Sequence, residues 1–338
     1  MRQRQKIQKM LRSGVRPNFI NTIHATVDAN NPDSAVVGQA AEILRQGGLV
    51  AFPTETVYGL GVNAQDAEAV ARVYQVKGRP SDNPLIWHGN SLGAFENVVS
   101  EIAVAAQKLA DIFWPGPLTL VLPRPSGQTL AIRVPSHPVT RAIIAASGCL
   151  IAAPSANISG RPSPTKAKHV MEDLDGAIEM IIDGGSAQNG LESTVVDLHT
   201  GKPRLLRPGA VTLEMLQDVL GEVECPQPSD DLKESAPLSP GMKYRHYAPK
   251  APLILVVGGD SAAVSDIAES YTAKGQKIGV LATSQYPLDD IAHSLFDRLR
   301  QFDEEGVSTI IAEGVKEEGI GLAIMNRLKK AAAEVITL

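Results

Sequence analysis

Short apolar runs alternate with helix-periodic segments along two stretches of this chain, and a proline-rich interval that does neither separates them. Alternation of that kind leaves few solutions: each apolar run is a strand, each periodic segment a helix laid on the sheet. In the first stretch the spacing predicts helices over 35–46, 67–76, 101–113, 138–147, 165–173 and 212–220. Strands are expected at 49–52, 84–88, 118–122, 130–134, 150–153, 178–182 and 193–198. Gly47–Gly48 suit the end of the first helix. From 251 onward LILVVGG, KIGVLAT and VSTIIA read as strands, with helices at 261–273, 290–304 and 321–334. This second unit is expected to be a small parallel sheet with helices on both faces. The interval between, 221–250, is rich in proline and polar residues and ends in GMKYRHY. It is long for a passive connector and dense in hydrogen-bonding groups, as a functional lid would be.

With 338 residues there is room for two cores. No apolar run is long enough to span a membrane. The two cysteines, Cys149 and Cys225, form no CxxC pattern, which fits a reducing compartment and a cytoplasmic protein. The net charge is −5, but the first sixteen residues carry six Lys/Arg and no acid, so without them it would be −11. Residues 1–30 are therefore set apart as a basic N-terminal extension without the apolar stretch of a secretory signal. Residues 31–220 are expected to form one domain, 221–250 a linker and lid, and 251–338 a C-terminal domain. The latter holds 8 basic against 13 acidic residues, which disfavours a nucleic-acid surface there.

Neither GxxxxGK[ST] nor GxGxxG occurs, and Gly258–Gly259 read as a tight strand-to-helix turn. A nucleotide would have to be held by side chains from separate loops. Candidates are concentrated in a few strings. YQVKGRPSDNPL places Lys77 and Arg79 either side of a glycine, with Asp82, Asn83 and Pro84 supplying turn chemistry. Arg133 interrupts the apolar strand LAIRV, where it meets either a ligand anion or an internal ionic partner. Arg207 lies at a strand end before a proline turn in LLRPGA. Four cations on turns and strand ends suggest an anion-binding concavity. PSAN puts Ser155 and Asn157 at a loop mouth beyond a strand. The SxN and SxxK strings at Ser155–Asn157 and Ser163–Lys166 have the form of penicillin-binding motifs, but their order is reversed and no KTG occurs. PTETVYGLG and ESTVVD offer hydroxyls, including Ser193, that either cap turns or fix a small ligand, and His88 ends the strand PLIWH. The histidines are scattered and no HExxH occurs, so a structural metal is not expected; any Mg²⁺ would arrive on phosphates.

Taken in order, GLVAFPTETVYGLG, VKGRPSDNPL, WPGPLTLVL, AIRVPSHP, APSANISGRPSPT, GLESTVVD, RLLRPGA and SPGMKYRHYAP cover residues 47–249. This series closely resembles the YrdC-type threonylcarbamoyl-AMP synthases in their long, two-domain form. The resemblance implies an α/β fold: a twisted open mixed sheet with helices around a concave site, then a smaller Rossmann-like parallel domain. It implies that L-threonine, bicarbonate or CO₂, and ATP (with Mg²⁺) give threonylcarbamoyl-adenylate and pyrophosphate. The product would pass to a transferase that makes N6-threonylcarbamoyladenosine in tRNA. Carried over motif by motif, ATP contacts fall on Arg79, Asn83, Thr129, Ser155, Ser163, Arg207 and Tyr247. Threonine contacts fall on Thr56, His88, Arg133, the Ala153 backbone and Ser193, while Lys77, Arg79, Ser155 and Asn157 form the polar catalytic signature. Trp87 stands where the family pattern has an aliphatic residue, and the basic extension lies outside that pattern.

On that reading Arg133 pairs the threonine carboxylate, Lys77 and Arg79 stabilise the triphosphate and leaving pyrophosphate, and the linker closes through Tyr247. A rival reading is a basic-cleft module gripping RNA without catalysis, with weak RNA contact as the lesser form; the acidic charge and 4% aromatics oppose it. Carbamoyl transfer on other substrates, known for relatives of the fold, comes with zinc-finger and acylphosphatase-like modules that are not legible here.

Overall fold

The computed structural model describes residues 20–225, 246–259 and 261–338. Most of the basic extension and the middle of the linker lie outside the described residues. In chain order the N-terminal unit comprises β1 (Ile23–Thr26), α1 (Ser34–Arg45), β2 (Val50–Phe52), β3 (Gly59–Asn63), α2 (Ala67–Lys77), β4 (Ile86–His88), α3 (Val104–Phe113), β5 (Leu118–Pro123) and β6 (Thr129–Arg133). It continues through α4 (Pro138–Ser147), β7 (Ile151–Ala152), α5 (Ala167–Leu174), β8 (Met180–Asp183), β9 (Thr194–Asp197), β10 (Arg204–Arg207) and α6 (Leu213–Leu220). The C-terminal unit is β11 (Leu253–Val257), α7 (Ser261–Thr272), β12 (Ile278–Leu281), α8 (Leu288–Glu305), β13 (Thr309–Glu313), α9 (Ile320–Ala331) and β14 (Glu334–Thr337).

The ten N-terminal strands form one mixed sheet in the order β1-β8-β2-β3-β7-β4-β6-β5-β9-β10, and the other four a parallel sheet, β12-β13-β11-β14. Two of the helices start on acidic caps that satisfy their first free amides: Asp33 caps α1 and Asp66 caps α2 through their carboxylates. Leu44, Phe52, Val139 and Met180 fill one core of the large sheet; Leu60, Val73, Val170 and Ile181 fill another.

Three strands depart from the expected pattern. β1 falls inside the stretch assigned to the basic extension, yet it pairs in parallel with β8. β3, where no strand was expected, is paired on both sides, by β2 and β7. The final helix stops at Ala331 and the chain continues as β14 beside β11.

The two units share a core. Val57 and Leu191 of the first pack with Tyr247 of the linker and with Leu295, Phe296 and Ile324 of the second. Charged contacts flank it: Arg300 on α8 donates to the Pro162 carbonyl at 2.7 Å and to Asp173 Oδ2 at 2.9 Å. Lys166 meets Asp297 at 2.8 Å.

Candidate active site

β4 and β6 run parallel and side by side, with His88 opposite Arg133 at their carboxyl ends. Open α/β sheets bind ligands beyond such ends. The loops that surround this point are 53–58 before β3, the turn after α2, the PSAN loop after β7, and the segment entering β9. Together with the end of the linker they enclose a cavity with an empty volume of about 730 Å³, counting its mouth.

Lys77, Arg79, Arg133 and Arg207, dispersed along the chain, all line it. So do Thr56, His88, Ala153, Ser155, Asn157, Ser163, Ser193 and Tyr247. Two of the expected ATP contacts do not. Thr129 opens β6, at the end of the strand opposite Arg133. Asn83 is buried behind Arg79, its carbonyl accepting from Tyr74 Oη at 3.2 Å and from Arg79 Nε at 3.1 Å.

The cations are held before any substrate arrives. Lys77 is the last residue of α2, and Gly78 takes the left-handed conformation (φ 59°) that ends the helix. The Lys77 ammonium, 1% exposed, donates to the carbonyls of Ser155 and Asn157, the latter at 2.5 Å. It therefore braces the PSAN loop as well as facing the cavity. Arg79 folds back on its own turn, donating to Asn83 O and to Pro84 O at 3.0 Å. Backbone carbonyls satisfy donors without cancelling charge, so the positive potential remains in the cavity. Burial pushes the Lys77 ammonium well below its ordinary range and, with the Arg207 charge against it, brings Arg79 down to about 10.

Arg133 has the internal partner that sequence reading left open: its guanidinium lies 2.7 Å from the Glu55 carboxylate, and its Nε donates to Gly116 O at 3.2 Å. Burial raises the Glu55 carboxyl, but the Arg133 charge and hydrogen bonds outweigh it and leave the group below its usual range. His88 is driven the other way. Burial and the neighbouring Arg133 charge lower it to about 3, so the ring is neutral. Its Nδ1 lies 3.3 Å from the Ile151 carbonyl, which can only accept. With the proton on Nδ1 to satisfy that carbonyl, Nε2 is an acceptor for a ligand ammonium or hydroxyl.

Across the cavity, Arg207 at the end of β10 donates to Ser193 O at 3.0 Å and to Ser193 Oγ at 3.1 Å. Ser193 Oγ also meets Thr119 Oγ1 at 2.7 Å. Ser155 Oγ donates to Asn157 Oδ1 at 2.6 Å. Ser163 Oγ donates to Glu192, which sequence reading passed over for its neighbour Ser193. Glu192 is, among the described residues, the one carboxylate lining the cavity. Its signal was an acid at the mouth of an apolar strand; Glu55 carried the same signal in PTETVY. Tyr247, the described end of the linker, is seated against this wall with a left-handed backbone (φ 65°) and its ring 5.2 Å from that of Phe296.

The arrangement offers fixed positive charge, a neutral imidazole acceptor and several hydroxyls in one hollow. Lys77, Arg133 and Arg207 are each at most 5% exposed. Cations this deep cannot follow a nucleic-acid backbone, so the site is a small-molecule cavity and not an RNA-gripping face.

Residues 42–209 match the family model described as "Telomere recombination" (Sua5/YciO/YrdC), and residues 211–333 match "Threonylcarbamoyl-AMP synthase, C-terminal domain". The chain belongs to the YrdC-type threonylcarbamoyl-AMP synthase family, in its two-domain form. A family member from Pyrococcus abyssi is 47% identical, over 87% of this chain and 93% of its own. One from Bacillus subtilis is 45% identical, over 90% and 94% respectively. The crystal structure of P. abyssi Sua5 complexed with L-threonine superposes with a TM-score of 0.89 at 45% identity, covering 94% of this chain and all of that one. Both family regions are thus present here in the family's order, and the fold matches across them.

Proposed function

We propose that the cavity joins L-threonine, bicarbonate or CO₂, and ATP into threonylcarbamoyl-adenylate and pyrophosphate, making the chain a nucleotidyltransferase. The observation that carries this reading is the convergence of Lys77, Arg79, Arg133 and Arg207 with His88 on one enclosed hollow. Threonine binds with its carboxylate on Arg133, whose planar fork suits that group. Its ammonium or hydroxyl donates to His88 Nε2, and Thr56, Ser193 and the Ala153 backbone complete its side. The triphosphate lies toward Arg79, Arg207, Ser155, Ser163 and Tyr247.

The neutral threonine amine adds to CO₂ and releases a proton to solvent, forming a carbamate; where bicarbonate is the source, that proton is taken up by the hydroxyl that leaves as water. A carbamate oxygen forms a bond to the α-phosphorus; the bond from that phosphorus to the bridging oxygen breaks, and its electron pair leaves on pyrophosphate. Both partners are anionic, so the protein's contribution is positioning and charge neutralisation. Cations already fixed by carbonyls do this without reorganising. His246 and Tyr247, which line the cavity, exclude water, which would hydrolyse the mixed anhydride.

The chain's own carboxylates do not fit a protein-held Mg²⁺. Among the described residues no group of three or more His, Cys, Asp or Glu converges, and both oxygens of Glu192 are engaged. Mg²⁺ enters as part of MgATP. The adenylate is handed to a tRNA-modifying transferase, in the cytoplasm. Among the described residues no helix is long and apolar enough to cross a membrane.

The test is pyrophosphate release from ATP without RNA. Release that requires both threonine and bicarbonate is expected. Release indifferent to threonine, or none at all from the folded protein, overturns the proposal.

A further inference from the structure

Arg327 lies on α9 in the C-terminal domain, on that helix's apolar stripe with Ile324, Leu328 and Ala331, and is only 1% exposed. A buried arginine among core residues adds little to stability compared with an apolar residue of similar volume, so its position calls for another explanation. Its side chain crosses the domain boundary. Nε donates to Glu192 Oε2 at 2.9 Å, Nη2 to the Glu192 carbonyl at 3.3 Å, and Nη1 to the Pro208 carbonyl at 2.7 Å. The guanidinium carbon also lies 5.6 Å from the centre of the Tyr247 ring. One side chain therefore touches Tyr247 and the immediate chain neighbours of Ser193 and Arg207. Through Glu192 it also reaches Ser163, whose hydroxyl occupies the other carboxylate oxygen.

The charges give this contact a direction. Burial raises the Glu192 carboxyl, and the largest effect holding it below its usual range is Arg327, followed by Arg207. Arg327, in contact with the carboxylate, and Arg207, nearby, thus both hold Glu192 ionised. With Arg327 removed, Glu192 is a buried anion whose strongest remaining cationic neighbour is Arg207.

We infer that Arg327 is a positioning residue supplied by the C-terminal domain: by neutralising Glu192 it keeps Arg207, Ser163 and Tyr247 set for nucleotide phosphate. The inference rests on the adenylate-forming reading and deepens it, because the C-terminal domain then completes the nucleotide side of the cavity.

The test measures KM for ATP and kcat separately, in the full chain and well below its melting temperature. Arg327→Met is expected to raise KM for ATP by about ten- to a hundredfold, the scale of a lost charge-assisted hydrogen bond. Removing the stranded charge should reverse this: Arg327→Met/Glu192→Gln returns KM to within about threefold of Glu192→Gln alone. A purely structural arginine would lower thermal stability without that rescue of KM. Should Arg327→Met fail to fold, Arg327→Lys, which keeps the charge and loses the fork, is expected to raise KM to a lesser extent. An unchanged KM in folded Arg327→Met or Arg327→Lys overturns the inference, as does a folded double variant no better than the single one. Wild-type protein that binds no ATP overturns the functional reading and this inference with it; normal wild-type binding with unaffected variants overturns the inference alone.

Discussion

Replacing Glu55 with alanine would remove the partner of a guanidinium that is 4% exposed. In the native fold Arg133 has two identified anchors, the Glu55 carboxylate at 2.7 Å and the Gly116 carbonyl at 3.2 Å. The carbonyl offers a dipole and no compensating charge. Breaking a buried pair from one side typically costs about 3–5 kcal/mol, since the remaining charge is left without a compensating one. At about 2–4 °C per kcal/mol for a unit of this size, the N-terminal melting transition should fall by about 6–20 °C. The double variant Glu55→Ala/Arg133→Met separates charge from packing. Replacing both members by uncharged groups should recover most of the lost stability, although threonine binding is lost with the arginine. The assay is scanning calorimetry of the three proteins, followed by threonine titration of each. A Glu55→Ala shift of less than about 1 kcal/mol, or a double variant no more stable than the single one, would refute the reasoning that this pair is a charge-compensated unit.

Arg133→Lys should weaken threonine affinity by about tenfold or more, and Arg133→Ala further, because the fork that matches a carboxylate is lost; wild-type affinity in both, by calorimetry, rules out the carboxylate assignment. Lys77→Met removes the donor to two buried carbonyls but also an expensively buried ammonium, so stability should change by less than about 2 kcal/mol. In that variant kcat/KM should fall by about a hundredfold or more, and a loss under fivefold contradicts the role of Lys77. Stability should also depend on pH through neutral buried histidines: burial holds His88 at about 3 and His169 and His246 at about 4, against 6.5 when unfolded. The unfolded chain then binds protons first, so stability is fully present above pH 6.5 and declines as pH falls toward these folded values. The slope is at most about 1.4 kcal/mol per pH unit for each histidine. His88→Gln should flatten the melting temperature profile between pH 6.5 and 4.5, and an unchanged profile contradicts the shift.

Periodicity located most helices of the fold because their apolar faces are also their packing faces, as with Ala40, Ala41 and Leu44 on α1. It failed where tertiary pairing decides the conformation. GLGVN has the composition of a turn, yet as β3 it lies between two strands, and neighbours on both sides outweigh its glycines. IHAT is short and alternately half-buried, and the basic residues before it masked an edge strand. The alanines after Ala331 extend a helical pattern that the pairing of β14 ends.

The site was legible for a different reason: a charge on a strand end or a glycine–proline turn is costly unless something uses it, and Lys77, Arg79, Arg133 and Arg207 all met that condition. Their partners were harder to read: Glu55 and Glu192 left only an acid beside an apolar run, and which cation each meets is decided by folding. Arg327 did leave a trace, as a charge on the apolar stripe of its helix. Thr129 shows the converse: it shares a strand with Arg133, but its place at the opposite end puts it outside the cavity.

The most direct measurement is a crystal structure of the full chain with threonine and a non-hydrolysable ATP analogue bound together. The expected result has the threonine carboxylate on Arg133 and its nitrogen beside His88 Nε2. The α-phosphate should lie toward Arg79 and Arg207, leaving space for one carboxyl group between nitrogen and phosphorus. Ligands in separate hollows, or a phosphate chain that touches none of Lys77, Arg79 and Arg207, would contradict a single anion-binding cavity as the seat of the chemistry.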